Sequence, residues 1–172
     1  MTIAYRTATP ADGAAIDEMG RRVWLATFEH SAPPADIAAY VAKSYGPEGA
    51  LRRQLADPAF DFHIATSGDA IAGYCKLGPT FFTGEVPTHG TVHLHQLYVD
   101  TAHHGGGVAA ALLDWAKTHA RAQGAAALLL TVWEENHRAR RFYEKHGFVH
   151  VGDYAFQTGT QIDRDMIMRL AL

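Results

Sequence analysis

The chain has 172 residues, 48% of them hydrophobic and 19% charged, with a formal net charge of -3 from 15 basic and 18 acidic side chains. That length suits one domain, 1–172, with a sizeable core. The mild acidity argues against broad nucleic-acid binding, which needs a basic surface to displace counterions, and the most apolar run, Ala125 to Trp133, is too short to cross a bilayer.

The N-terminus, Met1 to Arg6, has no charged leader followed by an apolar core, so no secretory signal is expected. Together with a single cysteine, which permits no intrachain disulfide, this predicts a cytoplasmic protein. Ile3 to Ala8 reads as a first strand. Thr9-Pro10-Ala11-Asp12 is a helix entry, with Thr9 as cap and Asp12 three residues on. Ile16, Met19, Val23 and Phe28 continue it as an imperfect apolar stripe. Pro33-Pro34 opens a second helix through Tyr45, and Gly46-Pro47 breaks it before a short piece holding Leu51 and Leu55.

From Phe60 the period changes to two. Phe62, Ile64 and Thr66, a Gly68-Asp69 turn, then Ile71 to Leu77 predict a hairpin. Cys75 on its second strand reads as a small buried filler. Gly78 to Gly90 is a loop, with Phe81 and Phe82 as a wall. Thr91 to Val99 returns to strand, and strict alternation would put His93 and His95 on one face with Leu97 and Val99. Next come a turn, His103-His104-Gly105-Gly106-Gly107, and a helical run from Val108 that ends near Gly124. Ala125 to Trp133 is a buried strand, Asn136 to Lys145 a helix stopping at Gly147, and Val149 to Leu170 a hairpin around Gly159. The fold class is therefore α/β, a mixed sheet with antiparallel edges, and not a pure doubly wound one.

Three consecutive glycines let the chain turn closely without Cβ clashes, and the helix after them presents unpartnered N–H groups and a favourable dipole to an anion. This is the physical form of a pyrophosphate cradle. No Gly-Lys-Ser/Thr follows, which disfavours a P-loop, and the six-residue spacing of a dinucleotide fingerprint is missing.

The segment LYVDTAHHGGGVAAALLDWA resembles the coenzyme-binding motif of the GNAT acetyltransferase superfamily: a strand ending in Val, four linking residues, then Arg or Gln, x, x, Gly, x, Gly or Ala. His104 stands at the Arg/Gln position, Gly107 at the glycine and Ala109 at the last small position. VWEENHRARRFYEKHGFVHVGD resembles the second half of the same fold, through Asn136, Ala139, Phe142, Tyr143, Gly147 and Phe148. With YRTATPADGAAI at the start, the resemblance covers nearly the whole chain. It implies a mostly antiparallel central sheet with a splayed parallel strand pair and flanking helices. It also implies acetyl transfer from acetyl-CoA to an amine by direct attack.

On that resemblance, Leu97, Tyr98 and Val99 pair with the pantetheine arm, and His104, Gly105, Gly106, Gly107, Val108 and Ala109 hold pyrophosphate. Asn136 contacts the coenzyme or, equally, caps its helix. Tyr143 protonates the departing sulfur. His93 stands where relatives often carry a glutamate base, with His95 as the second candidate; unperturbed imidazole has a suitable pKa. His104 departs from the family pattern: it donates one bond when neutral and adds charge only when protonated, so binding is expected to weaken as pH rises. His93-x-His95 could offer two metal ligands, but spacing nominates no third among His63, His89 and His146, so no metal is expected.

The whole chain looks nearest to bacterial polyamine acetyltransferases of the PaiA type, which implies spermidine or spermine as acceptor. Trp24, Phe28, Glu29, Tyr74 and Glu85 are the acceptor-side candidates, with Asp36 a further acidic one. Other small amines, an aminoglycoside, a peptide N-terminus and a non-catalytic acyl-CoA sensor stay open, as do monomer and homodimer.

Overall fold

The computed structural model describes residues 2–82, 84 and 86–172. Strand β1 (Ile3–Thr7) leads into a single 3-10 turn at Pro10–Asp12 and then helix α1 (Gly13–Phe28). The expected cap is present one turn early. The Thr9 N–H donates to the Asp12 carboxylate at 2.7 Å, closing the 3-10 turn, and the α-helix starts after it. Helices α2 (Pro34–Ser44) and α3 (Ala50–Leu55) follow, separated where Gly46 takes φ +95.

Strands β2 (Asp61–Ser67) and β3 (Ala70–Gly78) form the expected hairpin. After the 79–90 loop come β4 (Thr91–Val99), α4 (Val108–Ala122), β5 (Ala127–Trp133), α5 (His137–Lys145) and the terminal hairpin β6 (Val149–Thr158) and β7 (Gln161–Ala171). The sheet order is β1-β2-β3-β4-β5-β7-β6, and every neighbouring pair is antiparallel except β4 with β5.

Each face of the sheet has its own core. On one, Val108, Leu112, Leu113, Ala116 and Ala120 of α4 pack against Ala65, Cys75, Leu94, Val99, Leu130 and Val132, with Tyr143 and Phe148 closing the end. On the other, Ile16, Met19 and Trp24 of α1 meet Ile37, Tyr45, Leu51, Phe62, Ile64 and Tyr74. Each side chain there leaves water almost completely, a contribution of roughly 1.5–3 kcal/mol for each large aliphatic or Phe side chain. Gly20 is where α1 rides closest to the sheet: a Cβ there would come within 2.6 Å of the Tyr74 hydroxyl.

Candidate active site

β4 and β5 pair over only three positions, Thr91 with Ala127, Val92 with Leu128 and His93 with Leu129. Beyond them β4 follows β3 to Val99 while β5 follows β7 to Trp133. The two strands diverge, and the β5-facing edge of Leu94–Val99 keeps its N–H and C=O groups free of a ladder. A bulge marks the start of the divergence: Lys76 pairs with Gln96 and Leu77 with Leu94, so His95 is the extra residue.

That inserted residue corrects the alternation expected from the sequence. Leu97 and Val99 pack on the α4 side, whereas His93 and His95 face the opposite side against Phe81, with centroids 4.8 and 5.6 Å from its ring. Tyr98 also lies on that opposite side, 5.6 Å from Tyr74.

At the end of β4, Asp100 accepts from the Ala102 N–H at 3.0 Å and pairs with Arg22 of α1 at 2.5 Å, fixing the entry of the glycine turn. Gly105 and Gly107 take φ +77 and +81, a region that residues with a Cβ rarely enter, and nothing lies within 4 Å of where either Cβ would stand. Gly107 caps α4, and the first helical bond runs from the Ala111 N–H to the Gly107 carbonyl, so the N–H groups of Val108, Ala109 and Ala110 lack helical acceptors. The loop thus has the shape, donors and dipole that a pyrophosphate requires.

His104 is exposed, and its Nε2 lies 3.0 Å from the Val99 carbonyl oxygen. Arg138 sets its guanidinium against the ring, with Nη1 2.8 Å from Nδ1 and Nη2 2.9 Å from Nε2. The histidine therefore ties β4 to the first turn of α5 and holds a guanidinium beside the glycine turn. Sequence reasoning missed Arg138; the only signal was the basic run in HRARR just after the cap. Asn136 is that cap, its side-chain oxygen accepting from the Ala139 N–H at 3.2 Å.

Tyr143 reaches from α5 into the α4-side core, 9% exposed and edge-on to Phe148 at 5.4 Å. Burial, with a contribution from nearby Cys75, raises its pKa above the ordinary phenol range, so the hydroxyl keeps its proton. The Cys75 thiol is itself pushed up to about 12 by burial, which leaves it inert as a nucleophile.

Across the sheet the divergence is walled by rings. Trp24 stacks on Tyr40 at 4.4 Å and meets Phe28 at 5.3 Å; Phe28 meets Trp133 at 5.5 Å, and Tyr40 meets Phe156 at 5.9 Å. Trp24 and Phe28, two of the acceptor-side candidates, lie on this aromatic wall. Tyr74, a third, is fully buried beneath α1, and its hydroxyl donates to Gln96 at 3.1 Å. Glu29 is exposed at the end of α1, 3.4 Å from His30. Asp36 accepts from the N–H and hydroxyl of Thr160 at 2.9 and 2.7 Å, which engages it in the terminal hairpin. Glu85 falls outside the described residues.

His93 is 1% exposed, its ring 4.4 Å from that of His95. Burial first, then the neighbouring His95 and Lys76, lowers His93 to about 2, and burial and Lys76 lower His95 to about 4. Both imidazoles are neutral at pH 7 and hold a proton weakly. This counts against the expectation that one of them takes the proton of an incoming ammonium, because the desolvation that favours the neutral ring also weakens it as a base. Among the described residues no three His, Cys, Asp or Glu side chains gather to hold a metal ion, and no helix is long and apolar enough to cross a membrane.

The sequence profile of the Acetyltransferase (GNAT) family matches residues 24–148. An uncharacterised N-acetyltransferase of Mycobacterium bovis is 32% identical over 146 residues, covering 83% of this chain and 88% of that one. The crystal structure of the PaiA N-acetyltransferase from Thermoplasma acidophilum, in complex with coenzyme A, superposes with a TM-score of 0.76 at 20% identity, over 100% of both chains. The ribosomal-protein-S18-alanine N-acetyltransferase of Escherichia coli gives 0.69 at 17% identity, over 99% of this chain and 94% of that one.

Proposed function

The chain belongs to the acetyltransferase (GNAT) family, and from that premise we propose that it moves the acetyl group of acetyl-CoA onto a primary amine of a small molecule, with polyamines as the leading acceptors. The observation that carries this reading is the divergence of β4 from β5 at His93, which opens a free strand edge between a glycine-and-helix anion cradle and a cluster of aromatic rings. The residues present fit the coenzyme: open space above Gly105 and Gly107 for the pyrophosphate, and the Leu97–Val99 backbone for the amides of the arm. The coenzyme A bound to the Thermoplasma protein is in keeping with this.

Acetyl-CoA supplies a thioester, at whose carbonyl carbon a C–N bond forms as the C–S bond breaks; the nitrogen gives up one proton to water, the sulfur takes one from Tyr143, and water restores the phenol. The chain's own part is to position, exclude water and manage protons. Backbone groups of Leu97 to Val99 orient the arm, and holding both reactants together replaces a bimolecular encounter. Tyr143, kept protonated by burial, is the proposed donor to the departing sulfur. The attacking nitrogen must be neutral, and a poorly hydrated aromatic chamber favours the neutral amine over its ammonium form. His93 and His95 contribute neutral polar wall at the closed end of the gap.

This gives a pH prediction with a definite sign. kcat/KM should rise with pH toward the acceptor's own pKa, and His95→Gln should leave that limb in place, because His95 is already deprotonated far below it. A limb that disappears in the variant would restore the histidine as base.

A second prediction concerns the cradle. Arg138→Ala should weaken acetyl-CoA binding by roughly tenfold, the worth of one charge-assisted hydrogen bond, and His104→Ala should give a similar loss by releasing Arg138. Isothermal titration of each variant checks it; unchanged affinity in Arg138→Ala would leave the backbone donors alone at the pyrophosphate. The function itself is tested by thiol release from acetyl-CoA across a panel of spermidine, putrescine, an aminoglycoside and an alanine-terminated peptide. Polyamines should lead; a peptide in first place would overturn the acceptor assignment.

A further inference from the structure

We propose that Asp165 is the cation-binding group of the acceptor chamber, holding a second, non-reacting ammonium while a different nitrogen of the same substrate meets the thioester. This rests on the acetyl-transfer reading above and adds to it a residue and a substrate class: amines with a second positive charge several ångströms from the reacting one.

Asp165 is an anomaly in its strand. It lies on β7 beside Met166, Ile167 and Met168 and is only 8% exposed, yet it is an acid. Register puts it directly opposite Trp133 of β5 on one side and Tyr154 of β6 on the other, so its carboxyl points to the face that carries those rings. Thr131, two residues before Trp133 on the same face, lies close enough to favour the charged carboxylate. Tyr40 of α2 lies close enough for the carboxylate to disfavour its ionisation, and Tyr40 is stacked on Trp24 and touches Phe156. Tyr154 also lines a neighbouring cavity of about 280 Å³ with Phe82, Val86, Ile167 and a second acid, Asp153; Asp165 lies outside that lining. A buried carboxyl flanked across its strand by Trp133 and Tyr154 is the composition that receives an alkylammonium: charge for the nitrogen, aromatic surface for its flanks.

Position separates this role from catalysis. Asp165 is two strands from β4, roughly 10 Å at ordinary strand spacing, and the divergence widens that distance. It cannot touch a nitrogen attacking a thioester laid along β4. It can hold the far end of a diamine.

The other titratable groups facing it are Asp163 on its own strand, Tyr40 from α2 and Tyr154 from β6. No basic side chain is among them, and burial, opposed by Thr131 and helped by Asp163, pushes the carboxyl up to about 7. In the empty chamber the group is therefore half neutral near pH 7, and a bound cation draws it into the charged form. Diamine affinity should fall as pH drops through about 7.

The test is calorimetric binding of putrescine to the protein saturated with coenzyme A, which needs no turnover. Asp165→Asn, close to isosteric, should weaken putrescine by roughly 30-fold or more, the usual cost of removing one partner of a buried charge pair. It should also abolish the pH dependence near 7 and leave coenzyme affinity unchanged. Asp165→Glu should recover part of the binding, and butylamine, with one nitrogen, should be little affected by either change. Equal putrescine affinity in wild type and Asp165→Asn, or no binding to either, would overturn the proposal. Binding that depends on Asp165 in a protein that transfers no acetyl group to any amine would instead leave it standing and sink the transferase reading.

Discussion

Tyr143→Phe is expected to slow the chemical step by about 10²–10⁴-fold while leaving acetyl-CoA affinity nearly unchanged. The substitution deletes one oxygen and its proton and keeps the ring. That ring is fixed between Phe142 and Phe148, each at 5.4 Å, so packing should survive. The effect is expected to be large because thiolate departure leaves a charge in a buried site, where an absent donor is felt more than it would be in water. Burial and Cys75 make the phenol a weak acid in the free protein, so on the proposed mechanism it would donate only when a strong base, the departing thiolate, develops beside it. Single-turnover kinetics with coenzyme binding measured separately checks this. An unaltered chemical step would remove Tyr143 as the acid.

Gly107→Val should reduce acetyl-CoA affinity by about 100-fold or more. At φ +81 a β-branched residue is a steric outlier, costing on the order of 1–2 kcal/mol or more before any ligand is present. A Cβ at this position meets nothing within 4 Å in the protein itself. The folded chain therefore bears only the backbone strain, whereas the added methyl groups enter the space assigned to the pyrophosphate. Loss of affinity with a retained cooperative melt is the expected pattern. Gly73→Val is the contrasting control, since even a Cβ there would sit 2.8 Å from the Tyr98 carbonyl oxygen inside the sheet; that variant should lose stability first. Undiminished affinity in folded Gly107→Val would move the cradle elsewhere.

What was legible in the sequence was what is local. Strand, glycine turn and helix announce themselves because positive φ and free helix donors each need particular residues at adjacent positions. Tyr143 was nominated by the resemblance of VWEENHRARRFYEKHGFVHVGD to the family motif. The bulge at His95 was not, because an extra residue is defined by its pairing partner on β3, and alternation read along one strand cannot register it. Arg138 meets His104 across 34 residues of sequence, so neither segment alone reveals the contact. Asp165 was passed over because TQIDRDM alternates like a solvated hairpin. Its burial comes from Trp133, Tyr154 and α2 closing over it, and the one available signal was an acid placed directly before three apolar residues. His93 and His95 were read by residue type; depth in the sheet then set a basicity that type alone does not.

The account stands most directly on stoichiometry. Purified protein, isotopically labelled acetyl-CoA and spermidine are incubated together, with free thiol and labelled acetylspermidine quantified by mass spectrometry in the same samples. One labelled acetylamine should form for each thiol released, at a rate proportional to protein and reduced by about 10²–10⁴-fold in Tyr143→Phe. Tight acetyl-CoA binding without amine-dependent thiol release, for spermidine and every other amine tried, would contradict the account and make the chain a coenzyme-binding sensor.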